Sequence, residues 1–477
     1  MPPTWTRRWR SRPAARPPAG PPSKSASVRR ATPDRLDGHR LVIPPQIVTA
    51  DQATAVRRRL EAVWRLDAAR IIARIGRIVR DVGMAEEFAH DALVAALEQW
   101  PRDGEPEQPV AWLTTTARRR ALDYLRHRQM AGGKAAEIGF ELDFQHLARS
   151  DDATGRVDDD LDDDIGDDLL RLMFTACHPI LSPEARCALT LKVMGGLTTT
   201  EIARAYLRPE ATIAQRIVRA KRALAAARVP FEVPRRAELG PRLASVLEVI
   251  YLIFNEAHAA TAGEEWLRPG LCEQALRLGR VLCGLMPEQG EVFGLAALME
   301  LTASRFPARV TADGTPILLM DQDRGRWDPL LIRRGLAALA SAETCGGPLG
   351  PYTLQAAIAA CHARAHRAED TDWMRISALY DALAGISPSP VISLNRAVAI
   401  AMAFGPQAGL DIVETLTGDP LLADYHLLPS VRGDLLARLG RIDEARREFE
   451  RAATMTANAR ERTLLLARAQ HPRSGED

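Results

Sequence analysis

A chain of 477 residues is longer than one hydrophobic core usually serves, and its 46% apolar and 26% charged residues are those of ordinary globular domains, two to four of them by length. No apolar run reaches the eighteen or so residues of a membrane span, and the basic N-terminus has no apolar segment of the kind a secretory signal carries. The six scattered cysteines form no CxxC pair, which excludes a disulfide scaffold or a zinc ribbon and predicts a reducing, cytoplasmic setting.

The net charge of +2 hides strong segregation. Residues 1–40 hold ten Lys/Arg against two Asp, residues 151–168 ten Asp against one Arg, and residues 197–228 seven Lys/Arg against two Glu. Blocks of this kind point to partners of defined sign. Aromatic residues make up only 5%, while Ala, Leu and Arg abound, so the chain is predicted to be all-α.

Residues 1–50 are rich in Pro, Arg, Ala and Ser without helical period and read as a disordered basic tail. A basic arm for DNA phosphates and a start codon further downstream are the other readings. From Leu60 the apolar positions recur at helical spacing through Trp64, Ile71, Ile75, Ile78 and Val79. A second helix from Met84 to Trp100 is predicted to carry Phe88, Leu93 and Leu97 on one face. After the Pro101–Pro109 loop, a third begins near Val110 with Leu113, Ala117, Tyr124 and Leu125 inward. These helices make a compact domain over 51–130. Residues 131–168 form an acidic linker whose ten Asp repel one another and predict extended chain. Residues 169–230 make a second small helical domain, and 231–470 a helical C-terminal region with short Pro/Gly breaks.

The strongest chemical signal is a helix-turn-helix over Leu197 to Leu224. The Thr198–Thr200 run can cap a first helix with Ile202, Ala203 and Tyr206 inward. Pro209 suits the first turn of a second helix, in which Ile213, Ile217, Ala220 and Leu224 make the buried stripe. The opposite face presents Thr212, Gln215, Arg216, Arg219 and Arg222, the polar and cationic side chains that a major groove and its phosphates accept. A merely solvated basic face is the alternative.

Two segments resolve it. Glu201-Ile202-Ala203, Thr212-Ile213, Arg216, Arg219-Ala220-Lys221 and Leu224 resemble region 4 of the extracytoplasmic-function (ECF) sigma factors. Ala85 to Leu93, Pro109 to Leu113 and Arg118 to Arg126 resemble their region 2. Order and spacing agree over about residues 57–228, with Leu207 standing where that family usually has a turn glycine. The resemblance implies a factor that performs no reaction, needs no cofactor or metal, and has core RNA polymerase and promoter DNA as partners. It makes Glu86, Glu87 and Asp91 the polymerase-docking face. It makes Arg118, Arg119, Arg120, Arg126 and Arg128 the positive charge at the melted −10 element. Trp112 could stack on an unpaired base there, packing beside Leu113 being the other reading. Thr212, Gln215, Arg216, Arg219 and Arg222 would meet the −35 element, with phosphate contacts alone the other reading for Arg216 and Arg222.

Beyond region 4 the chain resembles a subgroup with a long C-terminal extension, through Tyr251 to Glu256 and Asp321-Gln322-Asp323-Arg324. Residues 427–456 look like one tetratricopeptide helix pair, with Gly433, Gly440, Ala445, Phe449 and Ala452 at its small and large positions. A weaker copy upstream extends the likeness to 391–456. Such pairs stack into surfaces for proteins, so a regulatory protein is the expected partner of this half. Glu256, His258, Asp321, Asp323, His362 and His366 are residue types a metal or acid–base site uses, but packing and capping roles are expected for them. A non-sigma DNA-binding regulator and a tetratricopeptide scaffold that no longer binds polymerase are the two rival readings.

Overall fold

A computed structural model describes residues 50–131, 160–206, 208–258, 269–311, 317–456 and 458–471. These residues fold into eighteen α-helices with no β-strand among them. The tail over 1–49, the linker over 132–159 and Leu207 lie outside the described residues.

Helices α1 (Ala50–Val79), α2 (Val82–Asp103) and α3 (Pro109–Ala131) pack as one unit. Leu60, Ile71, Ile72 and Ile75 of α1 are buried against Ala85, Ala89, Ala92 and Ala96 of α2 and Leu113, Ala117 and Ala121 of α3. The buried face of α2 is therefore its alanine face, which lets the helices approach closely. Two expectations fail for that reason: Leu97 is 37% exposed and Tyr124 is 40% exposed. Phe88, half-buried, meets the Tyr124 ring at 5.7 Å on the rim. Asp81 caps α2 by accepting from the Met84 amide at 2.9 Å.

Helices α4 (Asp160–Ala176), α5 (Pro183–Val193), α6 (Thr199–Ala205) and α7 (Glu210–Ala226) follow. The end of the Asp-rich stretch is helical from Asp160, where extended chain was expected. Carboxylates favour the positive end of a helix, which offsets their mutual repulsion. Asp168 is buried and paired with Arg171 at 2.6 Å and Arg77 at 3.7 Å, so α4 is tied to α1.

The C-terminal region comprises α8 (Arg236–His258), α9 (Pro269–Leu285), α10 (Gly290–Ala303), α11 (Pro329–Thr344), α12 (Pro351–Arg364), α13 (Trp373–Ile386), α14 (Pro390–Phe404), α15 (Pro406–Leu416), α16 (Leu427–Arg438), α17 (Ile442–Met455) and α18 (Ala459–Gln470). Pro starts many of these helices, because a first-turn residue has no amide partner to lose. This region is not a separate body. One cluster of buried side chains runs unbroken from Leu60 to Ala360. Across it, buried Arg186 donates to Ser245 and to Glu248 of α8, and Ser245 Oγ donates to the Cys177 carbonyl at 2.6 Å. A second cluster fills α14 to α18, with Phe449, Ala445 and Ala452 fully buried. A Cβ at Gly433 would come within 3.1 Å of the Phe449 ring, so the α16–α17 pair needs a small residue there; Gly440, at φ 78°, makes the tight turn between them. No helix of the described residues is long and apolar enough to cross a membrane.

Candidate nucleic-acid interface

The α6–α7 hairpin is built by local chemistry. Thr198 caps α6 by accepting from the Glu201 amide at 3.1 Å, and Glu201 accepts from the Thr198 amide at 2.8 Å, a reciprocal capping box. Ile202 and Ala203 are buried and Tyr206 is half-buried. Pro209 sits just before α7 rather than in its first turn, at φ −58°. Ile213, Ile217, Ala220 and Leu224 form the buried stripe. Thr212, Gln215, Arg219 and Arg222 are exposed on the opposite face. Arg216 is half-buried: burial pulls its guanidinium pKa down and Glu184 of α5 pulls it back up. Arg216 thus faces partly into the hairpin, unlike its neighbours.

On α3, Arg119, Arg120, Arg126 and Arg128 are exposed and Arg118 is half-buried. Arg126 pairs with Asp123 at 3.2 Å. Arg120 pairs with Asp91 of α2 at 3.3 Å, so two residues assigned by resemblance to different partners neutralise each other on one surface. Trp112 is half-buried, its ring edge-on to buried Trp100 at 5.6 Å, which leaves only part of the indole for a base.

The expected docking face divides. Glu87 and Asp91 are exposed, but Glu86 is only 7% exposed. Its carboxylate is taken by Lys221 of α7 and, at 3.5 Å, by Lys192 of α5. Burial would push that carboxyl up; the two ammonium groups outweigh it and hold it below the usual carboxylate range. Glu86 therefore joins the two sigma-like units instead of facing a partner.

Other contacts line the same seam. Arg65 of α1 pairs with Glu201 of α6 at 2.7 Å. Phe231, just after α7, lies on Gly76 of α1, where a Cβ would stand 2.7 Å from its ring. Arg277 of α9 donates to the Met194 carbonyl at 2.6 Å and the Leu66 carbonyl at 3.5 Å, bridging the end of α5 and α1 at once. Neither Lys192 nor Arg277 was a candidate from sequence, and only partners far along the chain reveal them. Among the described residues no group of three or more His, Cys, Asp or Glu could hold a metal ion. α12 ends at Arg364, so His362 and His366 do not share a helix as their spacing suggested; Asp323 caps a turn by accepting from the Gly325 amide at 2.9 Å.

Residues 65–130 match the family Sigma-70 region 2, residues 171–224 match Sigma-70, region 4, and residues 242–343 match a family of unknown function (DUF6596). The chain is 42% identical over 396 residues, 83% of its own length and 91% of the other, to the uncharacterized protein R00370 of Rhizobium meliloti (strain 1021). It is 30% identical over 160 residues, 32% of its own length and 78% of the other, to the ECF RNA polymerase sigma factor SigK of Mycobacterium ulcerans (strain Agy99). SigK of Mycobacterium tuberculosis (strain ATCC 25618 / H37Rv) is 30% identical over 159 residues, 32% of this chain and 78% of that protein. No solved structure matches the chain. With a region 2, a region 4 and an additional domain behind them, the chain belongs to the extracytoplasmic-function sigma factors.

Proposed function

We propose that this sigma factor binds core RNA polymerase, reads a −35 element with Thr212, Gln215, Arg219 and Arg222, and opens a −10 element over the arginines of α3, and that its C-terminal region keeps it closed until a signal releases it. The observation that carries the reading is the seam itself. The −10 and −35 elements are named for positions 25 base pairs apart, about 85 Å of duplex at 3.4 Å per base pair. Helices α2, α3 and α7 are about 25 to 35 Å long at 1.5 Å per residue, and Lys221 of α7 lies on Glu86 of α2. Helices packed side to side cannot hold two reading faces that far apart, so promoter engagement requires the seam to open.

Arg277 supports a negative sign for the control. From the C-terminal region it holds the backbone of both sigma units, which favours the closed form and makes the extension an inhibitor in cis. A regulatory protein on the helix pairs of α14 to α18 is the natural source of the releasing signal. A factor that serves polymerase on the chromosome works in the cytoplasm.

The test is run-off transcription by core polymerase from the promoter of the protein's own operon, with the full chain and with Arg277→Met. Promoter-dependent transcription that rises in the variant supports the reading. Absence of transcription with both, together with failure to co-purify with core polymerase, rejects the polymerase assignment; unchanged transcription rejects the inhibitory role. Truncation before α8 is not a substitute, because it would strip the partners of buried Arg186.

A further inference from the structure

The motif Asp321-Gln322-Asp323-Arg324, unused by promoter recognition, brings Arg324 into a buried group of cationic and donor side chains. Arg305 follows α10 and is only 9% exposed. Among the described residues its side chain forms no hydrogen bond or ion pair, and its Nε is shielded with no acceptor. Burial first, and then the cation Arg324, lower its guanidinium pKa to about 10 against a raising contribution from the Tyr380 phenol, and Arg309 and His362 also lie close enough to feel its charge. Arg324 spends one edge on the Ala365 carbonyl at 2.9 Å, the His362 carbonyl at 2.8 Å and the Thr371 hydroxyl at 2.9 Å, and lies over the Trp327 ring at 5.0 Å. Its Nε, Trp327 Nε1 and His362 Nδ1 are buried without a protein partner. Burial and then Arg305 push the imidazole of His362 down to about 2, so it stays neutral and adds no second charge to the group.

An arginine is seldom buried unless an anion compensates it, and beside it the N–H groups of Arg324 Nε and Trp327 Nε1, with His362 Nδ1 as a third donor in one tautomer, lack a partner. A cavity of about 280 Å³ lies on the same segment, lined by Ala365, whose carbonyl binds Arg324, and by Cys361, the neighbour of His362, but not by Arg305, Trp327 or His362 themselves. That volume lies at the lower end of small-molecule sites. Arg364, Arg375, Asp370 and Asp372 share its lining, so its walls are mixed in charge.

We propose that this cluster is a binding site for a small oxyanion, a carboxylate or phosphate group, with Arg305 as its ion-pair partner and Trp327 Nε1 and His362 Nδ1 as its donors. Arginine suits either group, since its planar fork matches both.

The test is calorimetric titration of the full chain with sodium phosphate and, separately, sodium acetate, at ionic strength held constant with sodium chloride. Saturable heat from one of them is expected, with phosphate alone or acetate alone identifying the group. Arg305→Met should abolish that heat. Trp327→Phe, which removes one donor and keeps the ring, should weaken binding about tenfold, as expected for a hydrogen bond to a charged group. The wild-type titration stands even if Arg305→Met does not fold. No saturable heat from either anion in the wild type, or wild-type affinity in Trp327→Phe, overturns the proposal.

Discussion

Replacing Glu86 by Gln keeps the side chain's shape and leaves Lys192 and Lys221 facing each other without the anion between them. Removing one partner of a buried ion pair costs about 3–5 kcal/mol. The Glu86 side chain is 9% exposed, but the lysines are 19% and 21% exposed, and solvent there reduces the loss. About 2–3 kcal/mol is therefore expected, which lowers the closed-to-open ratio roughly 30- to 150-fold. The loss falls on the seam rather than on either unit, since the cores of α1 to α3 and of α5 to α7 do not contain the pair. Amide hydrogen exchange should quicken in α2 and α7 along their contact while Ile71 and Ile75 keep their protection. The folded-state pKa of Glu86 lies below its unfolded value, so its stabilisation is present above about pH 4.3 and is lost as pH falls through the lower, folded value. Small-angle scattering should accordingly show expansion of the wild type on acidification and a weaker pH step in the variant. Equal exchange at the seam in the two proteins would refute the latch.

Arg219→Ala should lower affinity for a cognate −35 duplex by roughly 1–3 kcal/mol without moving the melting temperature, because the side chain is exposed; an unchanged duplex affinity would remove it from the reading face. Arg216→Ala, half-buried, should lower stability as well as binding, and calorimetric unfolding will separate the two. Glu87→Arg combined with Asp91→Arg should weaken co-purification with core polymerase. It should cost under about 1 kcal/mol of stability, since only the exposed Asp91–Arg120 pair is lost; undiminished co-purification would show that polymerase docks elsewhere.

What could be read in the sequence was whatever is local and periodic. The stripe Ile213, Ile217, Ala220 and Leu224 and the Thr198 cap follow from spacing within one or two turns, and the structure has them as read. The face of α2 was misread because size was taken for burial: Leu97 is exposed, while Ala89 and Ala92, which permit close packing, are fully buried. Glu86 was illegible for a different reason. A carboxylate in an acidic helix belongs on the surface unless a cation meets it, and its partners come from α5 and α7. Arg277 and Arg305 were missed likewise, since arginine inside a fold is a tertiary fact with no periodic signature. The C-terminal region was read only as a run of helices after residue 230. Nothing in composition marks the shared core, because α8 buries Val246, Val249 and Ile250 on a helix that reads as ordinary.

Arg305, the proposed anion partner, and the seam are linked through α10 and α9. Arg305 lies just beyond the last turn of α10, and Glu300 on α10 accepts from Arg280 of α9 at 2.7 Å. Arg280 is one turn from Arg277, whose guanidinium holds the Met194 and Leu66 carbonyls. A ligand moves an equilibrium only through unequal affinity for its two states, and the Glu300–Arg280 pair is the link between α10, which ends at Arg305, and α9, which holds the seam. Glu300→Gln keeps an acceptor but removes the charge. Arg280 is 45% exposed, so the change should cost only about 1 kcal/mol. In the wild type, the anion that binds at Arg305 should alter exchange protection along the contact of α2 and α7. In Glu300→Gln the same anion should bind with similar heat and leave that contact unmoved. A seam that responds equally in both proteins would mean that α9 does not carry the coupling, and that ligand and latch act independently.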